Sequence, residues 1–484
     1  MALSARHPEF LAQLDIWETM RDCYEGERAI KAKGLRYLPA TTGQLLDGLM
    51  TSAQSDGAQA YEAYKLRASF PSFTKEATES LLGILHRKDA IVRVPEMLQP
   101  FLKRMTREGE NVQMLLRRLN TQQILMGRIG VLLDLPGKSS RTPMPYAAVY
   151  DAETIVNWDS DPYIGPNGQR RVTLVVLNEA RYERQPGDEW VIVQYYRKLE
   201  LTEDGFYEQS TYRNEDELTR VRPLIANNPL GKIPFYFLNA KHVLPETDPP
   251  PLEGLASLCL AIYRGEADLR QLLHMSAQDT LVVPGGDPET KYRTGAGAVI
   301  TPPVDSKVHY AGVSTSGLSE MRHVLEADKK LAAVRGAQLI DTTSRQRESG
   351  DALRIRVAAQ TATLHQIALA SGEAIKELLR EAARWMGVSE SEVEQIEVLP
   401  NVDFTAETVT GKDMLDMVTA KAAGFPISLE TMWDYARRGG VGDRTFAEEQ
   451  ELIDVEPPLD MQEPTQQDST GTGQDVTGGS QNSQ

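Results

Sequence analysis

The feature that most restricts this chain is an ordered run of helical segments between residues 252 and 386, interrupted twice. In "LEGLASLCLAIYRGEADLRQLLHMSAQ" the apolar residues Leu255, Cys259, Ile262, Leu269 and Leu273 recur at helical spacing. Glu253, Arg264, Glu266, Asp268 and Arg270 fall on the other faces. A compact strand-and-turn insert follows, "TLVVPGGDPETKYRTGAGAVITPPVDSKVHYAGVSTSG", and a second helix, "LSEMRHVLEADKKLAAVRGAQLI", brings the chain back. After the polar stretch "IDTTSRQRESGD", a very long helix is expected from Ala352 to Met386. Val357, Leu364, Ala368, Ile375, Leu378, Ala382 and Trp385 share one of its faces. Gly372 lies in its middle, where glycine costs about 1 kcal/mol against alanine and permits a kink. An outgoing helix, a β insert and a returning helix make a stalk with a tip. Neither stalk helix is expected to bury all its faces within one chain, so neighbouring copies are the natural partners.

The rest of the chain has a different texture. Residues 6 to 33 read as a polar, peripheral helix with Leu11, Leu14, Trp17 and Met20 at helical spacing, followed by a break at "TTGQLLDGLMTSAQSDG". Two helices split at Pro71 come next, the second capped by Ser72 or Thr74 and burying Ala77, Leu81, Ile84 and Leu85. "AIVRVP" is a short strand, helices are expected over 96–107 and 110–126, and "RIGVLLDLP" is an apolar strand. From Tyr146 to Arg213, alternating β-branched and aromatic residues broken at "GPNG", "QPGD" and "TEDG" predict an antiparallel meander. "GKIPFYFLNA" adds a strand, and the proline-rich joint "PETDPPP" marks a boundary. Past the strand "QIEVLP" come two short helices, ended by Gly424 and Gly439 as C-caps. The final stretch, 456–484, is rich in Gln, Thr, Gly and Ser. It cannot offset its ordering entropy by burial and is expected to be disordered.

Several functions are disfavoured by what the chain lacks. A net charge of −17 argues against a tight nucleic-acid binder, which neutralises phosphates with clustered Lys and Arg. No G-x-x-x-x-G-K-[ST] phosphate loop, H-E-x-x-H or G-x-S-x-G occurs. "DSDPYIG" opens like a calcium loop but has Arg170 where a bidentate Glu is required. No metal, cofactor or catalytic residue is therefore expected. No apolar run approaches the roughly 20 residues of a membrane span, and two distant cysteines suggest a reducing compartment. A soluble, multidomain chain made in the cytosol is expected.

The order of parts resembles the portal proteins of tailed double-stranded DNA bacteriophages, in a branch long catalogued as a family of unknown function. The stretches that carry the likeness include "RDCYEGERAIKAKGLRYLP", "YKLRASFPSFTKEATESLLGILHRKDAIVRVP", "PPLEGLASLCLAIYRGEADLRQLLHMSAQDTLVVPG" and "RESGDALRIRVAAQTATLHQIA". The resemblance implies an α+β portal fold assembled as a ring around a central channel. It implies a wing (1–245), stem helices (246–280 and 318–339) and a clip (281–317). A tunnel loop (340–351), a long wing helix with its following strand (352–399) and a crown (400–455) complete it. The family forms homo-oligomers, usually dodecamers, at the portal vertex of the capsid within the major capsid protein shell. Double-stranded DNA passes through the ring, and the clip docks the large terminase and then the head–tail connector. Assembly takes place in the host cytoplasm, and the product resides in the virion.

By this resemblance Thr342, Thr343, Ser344, Arg345, Gln346, Arg347 and Ser349 line the narrowest part of the channel, and Lys291, Tyr292 and Arg293 form a clip docking surface. In a ring, Arg345 and Arg347 would become a collar able to touch phosphates without reading bases. No aromatic lies between Ile340 and Asp351, so stacking on single strands is not expected. Read without the family, Ile340–Asp351 is a solvated connector whose arginines pair with Glu348 or Asp351, and Lys291–Arg293 is an exposed hairpin. A packaging ATPase or nuclease, and another head–tail adaptor, are the competing readings.

Overall fold

The computed structural model describes residues 5–136, 144–164, 170–276, 280–284, 307–311, 317–338, 350–402, 404, 411–438 and 444–455; the side chains of 162–164, 280, 310–311, 337–338, 350–360, 411, 413 and 438 are excepted. The fold mixes helices and sheets in the α+β manner, in two compact units, residues 1–404 and 405–484.

The first unit opens with helix α1 (Pro8–Glu25), which ends where Gly26 takes a φ of 95°, and α2 (Glu27–Ala32). The expectation of a peripheral first helix is corrected. Trp17, Met20 and Cys23 are fully buried, and the Trp17 indole donates to the Met126 carbonyl at 2.9 Å. Leu11, expected inside, is exposed, because Phe10 rather than Leu11 lies on the covered face. The expected break at 41–57 instead holds helix α3 (Thr42–Leu46), started by a reciprocal cap between Thr41 and Gln44. Then come α4 (Asp56–Arg67) and α5 (Phe73–Leu85), parted at Pro71 as the sequence predicts. The stretch 96–107 holds a 3₁₀ turn (Glu96–Leu98) running into a short helix, α6 (Gln99–Leu102), whereas α7 (Val112–Met126) follows expectation, with Asn111 capping its start.

The strands form two principal sheets rather than one meander. β2 (Arg128–Asp134) lies between β3 (Tyr146–Asp151) and β13 (Phe235–Asn239), antiparallel to both. A five-stranded antiparallel sheet holds β4 (Ile155–Ile164), β5 (Arg170–Asn178), β8 (Tyr195–Leu201), β9 (Tyr207–Arg213) and β10 (Asp216–Val221), in the order β10-β9-β8-β5-β4. A two-stranded ribbon, β6 (Arg181–Arg184) with β7 (Trp190–Val193), extends from it, and β11 (Leu224–Ile225) pairs with β12 (Asn228–Pro229). β1 (Ile91–Arg93) pairs antiparallel with β16 (Glu397–Leu399), joining segments about 300 residues apart. Local patterning predicts each strand but not their meeting.

Helix α8 (Glu253–Ser276), strands β14 (Thr280–Val282) and β15 (His309–Ala311), helix α9 (Leu318–Gln338) and helix α10 (Gly350–Trp385) follow in that order, with α11 (Glu390–Glu394) just before β16. α10 packs on α7, β13 and β16 through buried Leu364, Ala368, Ile375, Leu378 and Ala382. The helix runs on through Gly372, whose missing side chain admits Pro400: a Cβ there would come within 2.9 Å of the ring. Close packing, rather than a kink, accounts for this glycine.

The joint 245–251 leads into α8 and is pinned from several sides within the first unit. Arg128 is wholly buried between Trp158 and Phe237, its guanidinium carbon 3.9 and 4.7 Å from the two ring centres. Its Nη2 donates to the Pro245 carbonyl at 2.9 Å, and burial pulls its pKa down to about 9. The Thr247 backbone N–H donates to the Glu9 carboxylate at 2.9 Å. Gly127, in the left-handed region, leaves space for the Asp248 carbonyl.

The second unit consists, among its described residues, of α12 (Gly411–Ala422), α13 (Leu429–Arg438) and α14 (Phe446–Val455). Gly424 closes α12 with a φ of 96°, in keeping with its predicted cap role; Gly439 lies outside the described residues. α14, absent from the sequence-based expectation, starts at Thr445, which exchanges hydrogen bonds with Glu448. Among the described residues of α13, only Met432 and Ala436 are buried, while Leu415, Val418, Phe425, Leu429, Ile453 and Val455 of this unit are exposed.

Candidate assembly surface

The helical run that opened the sequence argument forms an out-and-back pair. α8 leads to β14, β15 returns antiparallel to it with Thr280 opposite Ala311, and α9 runs back along α8. At about 1.5 Å per residue the pair extends roughly 30–36 Å. Close packing is possible because Gly265 faces Leu325; a Cβ on the glycine would lie 2.8 Å from the leucine methyl. Beside this contact Glu266 accepts from Arg270 Nε at 2.7 Å and pairs with Lys329 Nζ across the two helices. Glu266 is only 7% exposed, so its placement on an outer face is corrected. Burial resists its ionisation, but hydrogen bonds from Lys329 and Arg270 outweigh it and hold the carboxyl below its ordinary range.

The two helices are covered very differently. Around α8, buried Leu255, Ala256, Cys259, Leu260, Ile262, Tyr263, Ala267 and Leu269 occupy most of the circumference, and α1, α4, α5 and α9 pack on them. Tyr64 donates to Asp268 at 2.5 Å, and Arg264 donates to the Tyr37 carbonyl at 2.9 Å. α8 nevertheless keeps one face open along Gly254, Ser257, Ala261, Arg264 and Asp268, so neither helix buries all its faces within one chain, as expected; the open face of α8 is small and polar rather than apolar.

α9 behaves as expected of a helix that lacks partners. Its covered residues make one narrow line, Met321, Leu325, Asp328, Ala332 and Gly336, against α8 and α5. A second line, Val324, Ala327, Leu331 and Val334, has the three-then-four spacing of a coiled-coil seam and faces away. Val324 is 60%, Leu331 42% and Val334 46% exposed. Reading the sequence for one apolar stripe per helix missed this. The doubled period in "MRHVLEADKKLAAV" was the available signal.

Neither residue group expected to act lies within the described part of the chain: Thr342, Thr343, Ser344, Arg345, Gln346, Arg347 and Ser349 fall in 339–349, and Lys291, Tyr292 and Arg293 in 285–306. The described elements place only their borders, the end of α9 at Gln338, the start of α10 at Gly350, and the paired strands β14 and β15. Among the described residues no group of three or more His, Cys, Asp or Glu side chains could hold a metal, and no helix is long and apolar enough to cross a membrane.

Comparison with known proteins adds three facts. Residues 251–386 match the family model described as a domain of unknown function, DUF4055. No curated protein matches the chain. Among solved structures, the chain is similar to one titled as the neck of an empty GTA particle computed with C6 symmetry, at 13% identity and a TM-score of 0.36, over 80% of this chain and 91% of that one. It is also similar to one titled as the neck of a native GTA particle computed with C12 symmetry, at 12% identity and a TM-score of 0.38, over 75% and 89%.

Proposed function

We propose that this chain is the portal protein of a tailed, double-stranded DNA phage or phage-like particle. Copies stand side by side as a ring, twelve by family precedent, at one capsid vertex, and the genome enters and leaves through the central channel. The observation that carries the reading is the outward seam of α9, Val324, Ala327, Leu331 and Val334, on a helix whose other apolar line is already used. Burying the three large members between copies would contribute about 1.5–3 kcal/mol each at full burial. A ring multiplies that contact at every interface. The exposed apolar residues of α12, α13 and α14 add to the surface that neighbouring copies would cover.

In this reading the ring is a non-enzymatic conduit. Arg345 and Arg347, repeated around the axis, touch phosphates in passing, while the acidic remainder of the chain keeps DNA from adhering. The insert between β14 and β15, with Lys291, Tyr292 and Arg293, faces the large terminase during packaging and the head–tail connector afterwards; the wing meets the capsid shell. The loop and insert assignments rest on the resemblance.

Negative-stain microscopy and mass photometry of the purified chain test the ring. Closed rings with a central hole are expected, and Leu331→Glu with Val334→Glu should leave a folded, unassembled chain. A wild-type chain that stays monomeric or dimeric at micromolar concentration, or rings unaffected by the double substitution, would overturn the proposal. For the channel, Arg345→Ala with Arg347→Ala should keep rings intact and reduce the DNA packaged per particle; normal packaging would remove the arginine collar.

A further inference from the structure

A second surface of the first unit has no part in the ring argument. A cavity of about 1,060 Å³ opens between the end of α6, the end of β2, and the segment that carries β10 into β11. Its floor is electrostatically closed. Asp134 accepts from Arg197 Nη1 at 2.7 Å and from the Tyr146 hydroxyl at 3.0 Å, and Arg197 also meets Glu179 at 2.8 Å. Burial, reinforced by Asp134, pushes the Tyr146 phenol up to about 12.

The rim is different. Arg104 and Arg107 are exposed there, and neither makes an ion pair among the described residues. Val221 and Leu224 line the same cavity and are both more than half exposed. Unpaired positive charge beside bare apolar surface is unusual in a chain of net charge −17, where carboxylates outnumber cations.

We propose that this cavity docks an extended acidic segment of a partner protein, its carboxylates against Arg104 and Arg107 and its apolar side chains on Val221 and Leu224. Each guanidinium offers a planar fork that matches a carboxylate. A strand-like peptide alternating acidic and apolar residues presents both chemistries within a few residues. Duplex DNA fits less well, because a phosphate backbone would leave Val221 and Leu224 wet. The volume, just above the usual range for small-molecule sites, and the open mouth suit a peptide better than an enclosed ligand.

Fluorescence anisotropy on the full-length chain tests this, with a fluorescein-labelled octapeptide of alternating aspartate and leucine as probe. Octa-aspartate, an alternating lysine–leucine octapeptide and a short DNA duplex serve as competitors. The aspartate–leucine probe should bind, weaken with added salt, and resist all three competitors. Arg104→Glu with Arg107→Glu should weaken it about tenfold or more, as should Leu224→Asp, with far-UV circular dichroism unchanged. No binding of the probe, equal binding of the lysine–leucine peptide, competition by the duplex, or an unaltered affinity after the double charge reversal would overturn the proposal. Ring assembly is read separately, by mass photometry on the same samples.

Discussion

Helices α8 and α9 are adjacent, antiparallel and similar in length, yet one is covered over most of its circumference and the other along a single line. α8 carries apolar side chains around most of its circumference, and four helices of the first unit cover them. α9 carries two separate apolar lines, and the chain covers one. Helix length and apolar content alone do not reveal whether a helix completes a core or offers a seam. The number of stripes does, because each stripe needs its own neighbour.

Substitutions that separate the two roles grade this contrast. The largest effect is expected inside: Ile262→Ala should lower unfolding free energy by about 2–5 kcal/mol, read by denaturant titration of the dissociated chain. A loss below 1 kcal/mol would mean the Ile262 face of α8 is not packed core. Gly265→Val overfills the crossing against Leu325 and should cost about 1–3 kcal/mol on the same assay. Glu266→Gln removes the carboxylate shared by Lys329 and Arg270 and should cost about 1–2 kcal/mol near neutral pH. The Glu266 pKa is depressed on folding, so its contribution is complete above the unfolded value near 4.5 and fades as pH falls below it. The gap between wild type and Glu266→Gln should therefore close in acid; a gap that widens there would contradict the assignment. The smallest effect on stability is expected outside. Leu331→Ala with Val334→Ala should change unfolding of the separated chain by less than about 0.5 kcal/mol per site. In sedimentation velocity the same variant should shift the chain toward smaller species, so that stability and assembly part company.

Much of the local structure was legible because period and punctuation act locally. Pro71 divides α4 from α5, Asn111 and Gly127 bracket α7, and the apolar spacing of Leu364 through Ala382 marks the covered face of α10. What was not legible depends on distant partners. The central position of α1 follows from Trp17 finding Met126, and β3 pairs with β2 instead of the meander, from Ile129 opposite Asp151 to Asp134 opposite Tyr146, a choice of partner that local pattern does not encode. Glu266 looked like a surface carboxylate until Lys329, 63 residues on, supplied the charge that allows its burial. For the candidate assembly surface, the doubled spacing on α9 was present in the text, but which line faces out depends on α5 and α8. The seam is thus a property of tertiary packing that the sequence only permits.

The pairing of β1 with β16 has a consequence for how the protein is made. The apolar cluster beside this ladder draws Leu98, Phe101 and Leu115 from the early chain and Ile375, Leu378 and Val398 from about 260 to 300 residues later. At ribosomal speeds of about 5–20 residues per second, the early surface waits roughly 15–60 s for its cover. Throughout that interval the early half of the cluster, Ile129, Val131 and Leu133 included, lacks the side that Ile375, Leu378 and Val398 will cover, so yield should respond to translation rate and to chaperone supply.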